Sequence, residues 1–209
     1  ARTRNAEAGV KLRLPYGTRL NAAAFRADTR DELVTASNRG GRATFANAGK
    51  TRREGAELAL QSRLTRTLDL SLAYTLLDAE VREAYLTCTA QPCASAQTVI
   101  ARGNRLPGTA QGQWYSRLAY TPLPALQLAA AFRYLDAVPV NDSNTEAAPS
   151  YGVIDAEAAY RWQRARLSLK VENILDEQYA GSVIVNEANG RYYEPARGRS
   201  LLAGFELGF

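Results

Sequence analysis

The chain has 209 residues, enough for one sizeable domain, and carries 26 Lys and Arg against 21 Asp and Glu for a formal charge of +5. Interspersed charge of both signs excludes a nucleic-acid stripe, and the absence of histidine excludes hydrolysis by a Ser–His pair. No apolar run approaches the length of a membrane-crossing helix, which says nothing against strands that are only half apolar.

The opening residues ARTRN lack the apolar core of a signal peptide, so an export signal is expected upstream. Residues 6–14 then alternate: Ala6, Ala8, Val10, Leu12 and Leu14 are separated by Glu7, Gly9, Lys11 and Arg13. Period two predicts a β-strand with one greasy face and one wet face. Residues 55–61, 68–76, 126–134, 154–162 and 167–172 repeat the pattern. Two segments are weaker: 18–28, where Phe25 and Arg26 break the phase, and 111–120, where Ser116 sits among Trp114, Leu118 and Tyr120. The last strand, 200–209, sets Leu201, Ala203, Phe205, Leu207 and Phe209 on one phase, with Leu202 as the exception on the other. Nine strands are expected in all.

The connections alternate in length. Residues 15–17, 63–67, 121–125 and 163–164 are short links, whereas 29–46, 82–108, 141–150 and 176–197 are longer ones. Such parity predicts an antiparallel meander with tight turns at one end and large loops at the other, the arrangement of an outer-membrane barrel. Barrels of this type in bacteria close on even strand numbers, and residue 1 leads straight into a strand. The chain is therefore expected to be the C-terminal part of a longer protein. Tyr74, Tyr120, Tyr134, Tyr160 and Trp162 fall near strand ends, where an interfacial aromatic girdle is expected. The charges Glu57, Arg117, Arg133, Asp155, Glu157, Arg161, Lys170, Glu172 and Glu206 are expected on the wet, inner phase. Cys88 and Cys93 lie in a loop-like segment without the partners of a zinc site, and a local disulfide is favoured over two free thiols.

Five segments carry a family resemblance. NAGKTRREGAEL (47–58) looks like an "NAG-x-T-x-x-x-G-x-E" strand, and AYTLLDA (73–79) like "YTxxDA". LPGT (106–109) resembles an "xPGxP" turn, VENILDEQY (171–179) resembles "VxNLFDxxY", and RYYEPARGR (191–199) resembles "YxxPxxGR". In this order they resemble the C-terminal part of the barrel of TonB-dependent outer-membrane receptors, siderophore receptors in particular. The resemblance implies an all-β fold in which the strands are the last nine of a 22-stranded barrel. It implies that residues 1–209 form a partial barrel domain, with the plug and earlier strands absent. It also implies the outer membrane of a Gram-negative cell, and uptake of a scarce nutrient, a ferric siderophore foremost, rather than catalysis. Alternatives are a non-iron ligand such as cobalamin, or a passive porin-like barrel lacking the ordered motifs. Implied partners are outer-membrane lipid, the plug, the TonB complex and the small-molecule ligand, with no cofactor, no metal site and no nucleic acid. Phe205, Leu207 and Phe209 would form the C-terminal barrel-assembly signal.

Recognition is expected in the long loops, where Arg can fork onto carboxylates and Tyr and Asn supply adaptable hydrogen bonds. The candidates are Tyr85, Arg102, Arg105, Asn186, Arg191, Tyr192 and Tyr193; Arg39, Arg42, Asn104, Asn141, Asp142, Asn144 and Asn189 share those loops. Each could equally be a solvated loop residue or a contact to lipopolysaccharide. The Asn189-Gly190 dipeptide predicts a turn in a hairpin with 182–185 rising and 191–193 descending. Arg199 is expected to be structural, in a charge network with a residue such as Glu172 or Glu206.

Overall fold

The computed structural model describes residues 1–39, 42–89, 92–187 and 189–208. Its strands are numbered in chain order. Nine of them form a single antiparallel sheet. They run β1 (Arg2–Leu14), β2 (Thr18–Arg30), β5 (Lys50–Arg63), β6 (Leu68–Glu83), β9 (Gly112–Leu123), β10 (Leu126–Leu135), β13 (Tyr151–Trp162), β14 (Ala165–Glu172) and β17 (Ser200–Leu207). Neighbours in that order pair, so the sheet is a meander. Each long loop holds a two-stranded sheet of its own: β3 (Leu33–Arg39) with β4 (Arg42–Asn47), β7 (Tyr85–Thr87) with β8 (Thr98–Ile100), β11 (Val138–Pro139) with β12 (Ala147–Ala148), and β15 (Ala180–Val183) with β16 (Tyr193–Pro195). Among the described residues no helix is long and apolar enough to cross a membrane. The expected C-terminal residue Phe209 lies outside the described residues.

The short turns follow from their residues. Tyr16 and Gly17 both take positive φ, 60° and 65°, and the Thr18 amide donates to the Pro15 carbonyl at 3.3 Å. That mirror-image turn matches the twist of the strands it joins.

Register turns strand alternation into rows. Leu20 faces Leu60, Leu60 faces Leu72, Leu72 faces Ser116, Ser116 faces Phe132 and Phe132 faces Ile154. At the loop end of this apolar face Tyr74, Trp114 and Tyr134 share a row, with the first two rings 5.8 Å apart. At the turn end Tyr120, Tyr160 and Trp162 remain well exposed on the same phase. From the Tyr134–Gly152 pair to Trp162 is ten residues, about 33 Å along the strand and about 25 Å of height at usual barrel tilt. That height matches the apolar band of a membrane barrel.

The strands extend past the apolar stretches. β5 starts at Lys50, not 55, and β6 runs to Glu83, not 76. The residues added to β5 are polar on both phases, so alternation gives no signal there, whereas those added to β6 still alternate but with Leu77, Ala79 and Val81 on the opposite phase from Leu72 and Tyr74, under the loops. Phe25 breaks the apolar phase because it occupies the wet one, opposite Gly55. A Cβ on Gly55 would lie 3.0 Å from the Phe25 ring and 2.1 Å from the Leu76 carbonyl oxygen, so only glycine fits there.

An arginine on the apolar phase at mid-strand is expected to cost about 2–4 kcal/mol in a bilayer, and on the wet phase far less. Leu72→Arg should lower the urea midpoint of the lipid-embedded barrel strongly. Thr75→Arg, which faces Glu57 and Gln113, should leave it within the error of the parent.

Candidate functional site

At the loop end the wet phase is roofed by the hairpins. Thr29, Thr51 and Val81 lie in one row and are buried there. Val81 also packs with Ala79, Ile100 and Leu106, and Tyr85 lies against this cluster. Gly49 holds φ 72°, and a Cβ there would sit 2.6 Å from the Tyr85 ring. The glycine thus serves both the turn, where the Ala48 amide donates to the Glu32 carbonyl at 2.8 Å, and the seating of Tyr85.

Beside Tyr85 is a cavity of about 300 Å³ lined by Glu32, Arg53, Tyr85, Asp142, Asn186 and neighbours from three loops. Thr51 donates its hydroxyl to Glu32, and the Arg53 guanidinium lies 3.8 Å from the same carboxylate. Burial, then the carboxylates of Asp142 and Glu32, push the Tyr85 hydroxyl well above its ordinary value, so it stays a neutral donor. Burial likewise raises the Asp142 carboxyl, while the Asn186 amide acts against that shift. The cavity therefore offers phenol and guanidinium donors beside carboxylate acceptors, a chemistry of hydrogen-bonded recognition. A second cavity of about 370 Å³, lined by Leu77, Leu135, Val138, Tyr151 and Val183, is mostly apolar. Pro107 and Val185 line the first cavity, Gly108 and Val183 the second.

Of the loop residues singled out from sequence, Tyr85, Asp142 and Asn186 meet at the first cavity. Asn186 is committed to clasping two loops. Its amide nitrogen donates to Asp142 Oδ2 at 3.0 Å, and its side-chain oxygen accepts the Asp142 backbone N–H at 2.9 Å. Asn104 donates to the Asp142 carbonyl at 2.8 Å, while Asn144 exchanges hydrogen bonds with the backbone of Arg105. Arg105 sits opposite Glu80 in an isolated bridge, away from the cavity lining. Arg102 is exposed in a turn whose Gly103 donates to the Val81 carbonyl. Tyr192 packs on the Val138 and Val140 cluster. Tyr193 is in β16 and exposed, and Arg191 precedes it, also exposed. The hairpin expected around 182–193 is present as β15 and β16, though the Ala188 at its tip lies outside the described residues. Cys88 and Cys93 form a disulfide with Cα atoms 5.9 Å apart, and the Cys88 amide donates to the Thr35 carbonyl, tying this loop to β3. Phe205 and Leu207 are on the exposed apolar phase of β17. Glu32 and Arg53 were not legible as site residues; Arg53 extends the wet phase of Glu57 and Gly55, a signal that was available.

Lower on the wet phase, charges pair across strands, Arg133 with Asp155 at 3.1 Å and Arg117 with Glu157 at 3.7 Å, and along β14, Lys170 with Glu172 at 2.6 Å. They line a cavity of about 330 Å³. Asp155 also accepts the Asn173 amide at 2.9 Å, which anchors the turn out of β14. Asn173, buried at φ 52°, exchanges two hydrogen bonds with the Glu177 backbone. Arg199 belongs to this turn. Its amide donates to Asp176 at 2.7 Å and its guanidinium to the Ile174 carbonyl at 3.4 Å. The expected Arg199 network with Glu172 or Glu206 is thus corrected: Glu172 holds Lys170 and Ser200, and Glu206 holds Arg166. Among the described residues no group of three or more His, Cys, Asp or Glu could hold a metal ion.

The profile of the family described as TonB dependent receptor-like, beta-barrel matches residues 1–174. The chain belongs to this family. Curated relatives of this TonB-dependent receptor barrel include the "Probable TonB-dependent siderophore receptor PiuA" of Acinetobacter baumannii, 30% identical over 177 residues, covering 82% of this chain and 23% of the relative. The metal-pseudopaline receptor CntO of Pseudomonas aeruginosa is 30% identical over 217 residues, covering 99% of this chain and 27% of the relative. The crystal structure of the siderophore receptor PiuA from Acinetobacter baumannii superposes with a TM-score of 0.82 at 28% identity, covering 97% of this chain and 28% of that one. The ferric-catecholate import receptor Fiu of E. coli K12 superposes at 0.73 with 23% identity, covering 99% and 27%, and shares the fold. The chain spans about a quarter of the length of the relatives it matches.

The raised Asp142 value means the folded loops bind that proton more tightly than an unfolded chain does. The folded loops around Asp142 should therefore gain stability as pH falls from neutrality through the raised value, because protonation removes the cost of burying the carboxylate, with no further gain below the ordinary 3.8. Hydrogen exchange of the Asn186 amide, corrected for intrinsic acid dependence, should slow over that window in the parent and stay flat in Asp142→Asn.

Proposed function

We propose that this chain is the C-terminal part of a receptor barrel in the outer membrane of a Gram-negative cell, and that the protein takes up a ferric siderophore with energy from TonB. Residues 1–209 would then be one partial barrel domain, to be completed by a plug and further strands. The observation that carries the reading is the family match together with the cavity of Glu32, Arg53, Tyr85, Asp142 and Asn186 at the loop end of the sheet. Loops held on a rigid sheet are where recognition resides. Polar and apolar cavities side by side suit a ligand whose polar chelating groups are joined by apolar arms. The paired charges of the lower wet phase suit contact with a polar plug surface. The reading is of a transporter without chemistry of its own.

A second reading is uptake of another metal chelate, favoured by the relative CntO, whose match covers 99% of this chain. Both are tested by growth of a strain lacking the gene, on ferric siderophores or on other metal chelates as sole metal source. Complementation by the parent gene should restore growth on one class. Tyr85→Ala should weaken ligand binding about tenfold, the cost of one lost aromatic contact in a recognition site, with the protein still assembled in the membrane. Unchanged growth on every chelate after deletion would contradict the reading.

A further inference from the structure

The first loop cavity is acidic in a chain that is basic as a whole. Its charged lining is Glu32, Arg53 and Asp142, two carboxylates against one guanidinium, where the chain carries +5. That guanidinium is already engaged: Arg53 lies 3.8 Å from Glu32, whose carboxylate also accepts the Thr51 hydroxyl. Arg105 reaches the Thr109 carbonyl at 3.4 Å and, like Arg102, stays out of the lining. Asp142 is left uncompensated. Its Oδ2 accepts the Asn186 amide at 3.0 Å. Among the described residues its Oδ1 takes no hydrogen bond, and no Lys or Arg pairs with it. A half-buried carboxylate with only amide donors beside it carries a desolvation cost that a cation placed against it would relieve. Tyr85 lines the same cavity and adds a neutral hydroxyl.

The wall between the two loop cavities is thin. Val185 lines the acidic one and Gly108 the apolar one. Gly108 holds φ 76°, and a Cβ there would lie 3.0 Å from Val185 Cγ2, so the cavities meet at this contact. Beyond it Leu77, Leu135, Val138 and Val183 offer an aliphatic lining of about 370 Å³. We infer that the paired cavities take an alkylammonium group, a primary amine seated against Asp142 on a methylene arm that passes Gly108 into the apolar cavity. The inference rests on the chelate-uptake reading above and narrows it to chelates that carry a cationic amine arm. A polyanionic chelate would set its charge against Asp142 with Arg53 already held by Glu32. An ammonium forms a charge-assisted hydrogen bond with the free Oδ1, and the methylenes of its arm leave water as they enter the apolar lining.

The test uses the protein as the cell makes it, in reconstituted membranes, and two probes. One is a linear ferric trihydroxamate ending in a primary amine on a methylene arm; the other is the same complex with that amine acetylated. Three hydroxamates cancel the charge of iron(III), so the amine alone decides the charge of the complex. Dissociation constants are read from quenching of tryptophan fluorescence. The parent should bind the amine complex about tenfold more tightly than the acetylated one. In D142N, whose amide oxygen can still accept from Asn186, the two complexes should bind alike. In E146Q, which removes the same charge elsewhere in the same loop, the tenfold preference should persist. Equal binding of both complexes by the parent, binding of neither, or loss of the preference in both variants overturns the proposal. Failure of the uptake reading registers separately, as a deletion strain that grows like its parent on every chelate.

Discussion

Backbone pairing held in strict register is the constraint from which the rest of the structure follows. A strand presents alternate residues to opposite faces, so a slip of one residue would send every leucine of a row to the wet side. In β1 and β2 the pairing runs without interruption from Arg2 with Arg30 to Leu14 with Thr18. The same phase passes through seven further strands to Leu201 and Phe205. Three consequences share this origin: a leucine and phenylalanine face, aromatic rows at its margins, and a wet face where Arg117, Arg133 and Lys170 each find a carboxylate. A bilayer requires such closed pairing, because its core offers no water to an unpaired N–H or C=O.

The sheet was legible in the sequence wherever apolar residues mark one face. Residues 68–76 and 126–134 announce themselves, and the alternation of loop lengths fixes the meander. The strand ends were not legible. From 50 to 54 both faces are polar and period two leaves no trace in hydropathy, while from 77 to 81 the apolar residues Leu77, Ala79 and Val81 change to the other face, so the pattern reads as broken although the ladder continues. Phe25 read as a fault in the pattern, yet it is the partner that Gly55 leaves room for. That relation joins residues on different strands, which a one-dimensional pattern does not contain.

The site was legible in part, for a related reason. The sequence pointed to Tyr85 and Asn186, with Asp142 in the same loops, and all three border the loop cavity. Type alone could not separate residues that face a ligand from those that hold loops together. Asn104, Asn144 and Asn186 all bind backbone or side chain of other loops, and Tyr192 packs on Val138 and Val140. Glu32 and Arg53 went unnoticed because they sit where a strand meets a hairpin, and only folding brings them to Tyr85. The motif residues proved to be structural devices: Gly49 seats Tyr85, and Asn173 turns the chain out of β14.

The central claim is that one phase of these strands faces hydrocarbon and the other water. Spin labels placed singly at positions 70 to 76 of the membrane-reconstituted protein test it most directly, by comparing collision with oxygen and with a water-soluble nickel chelate. Positions 70, 72, 74 and 76 should favour oxygen and 71, 73 and 75 the chelate, in strict alternation. Equal access of the chelate to both sets, or protection of the leucine set from both reagents by packing against other protein, would contradict the account.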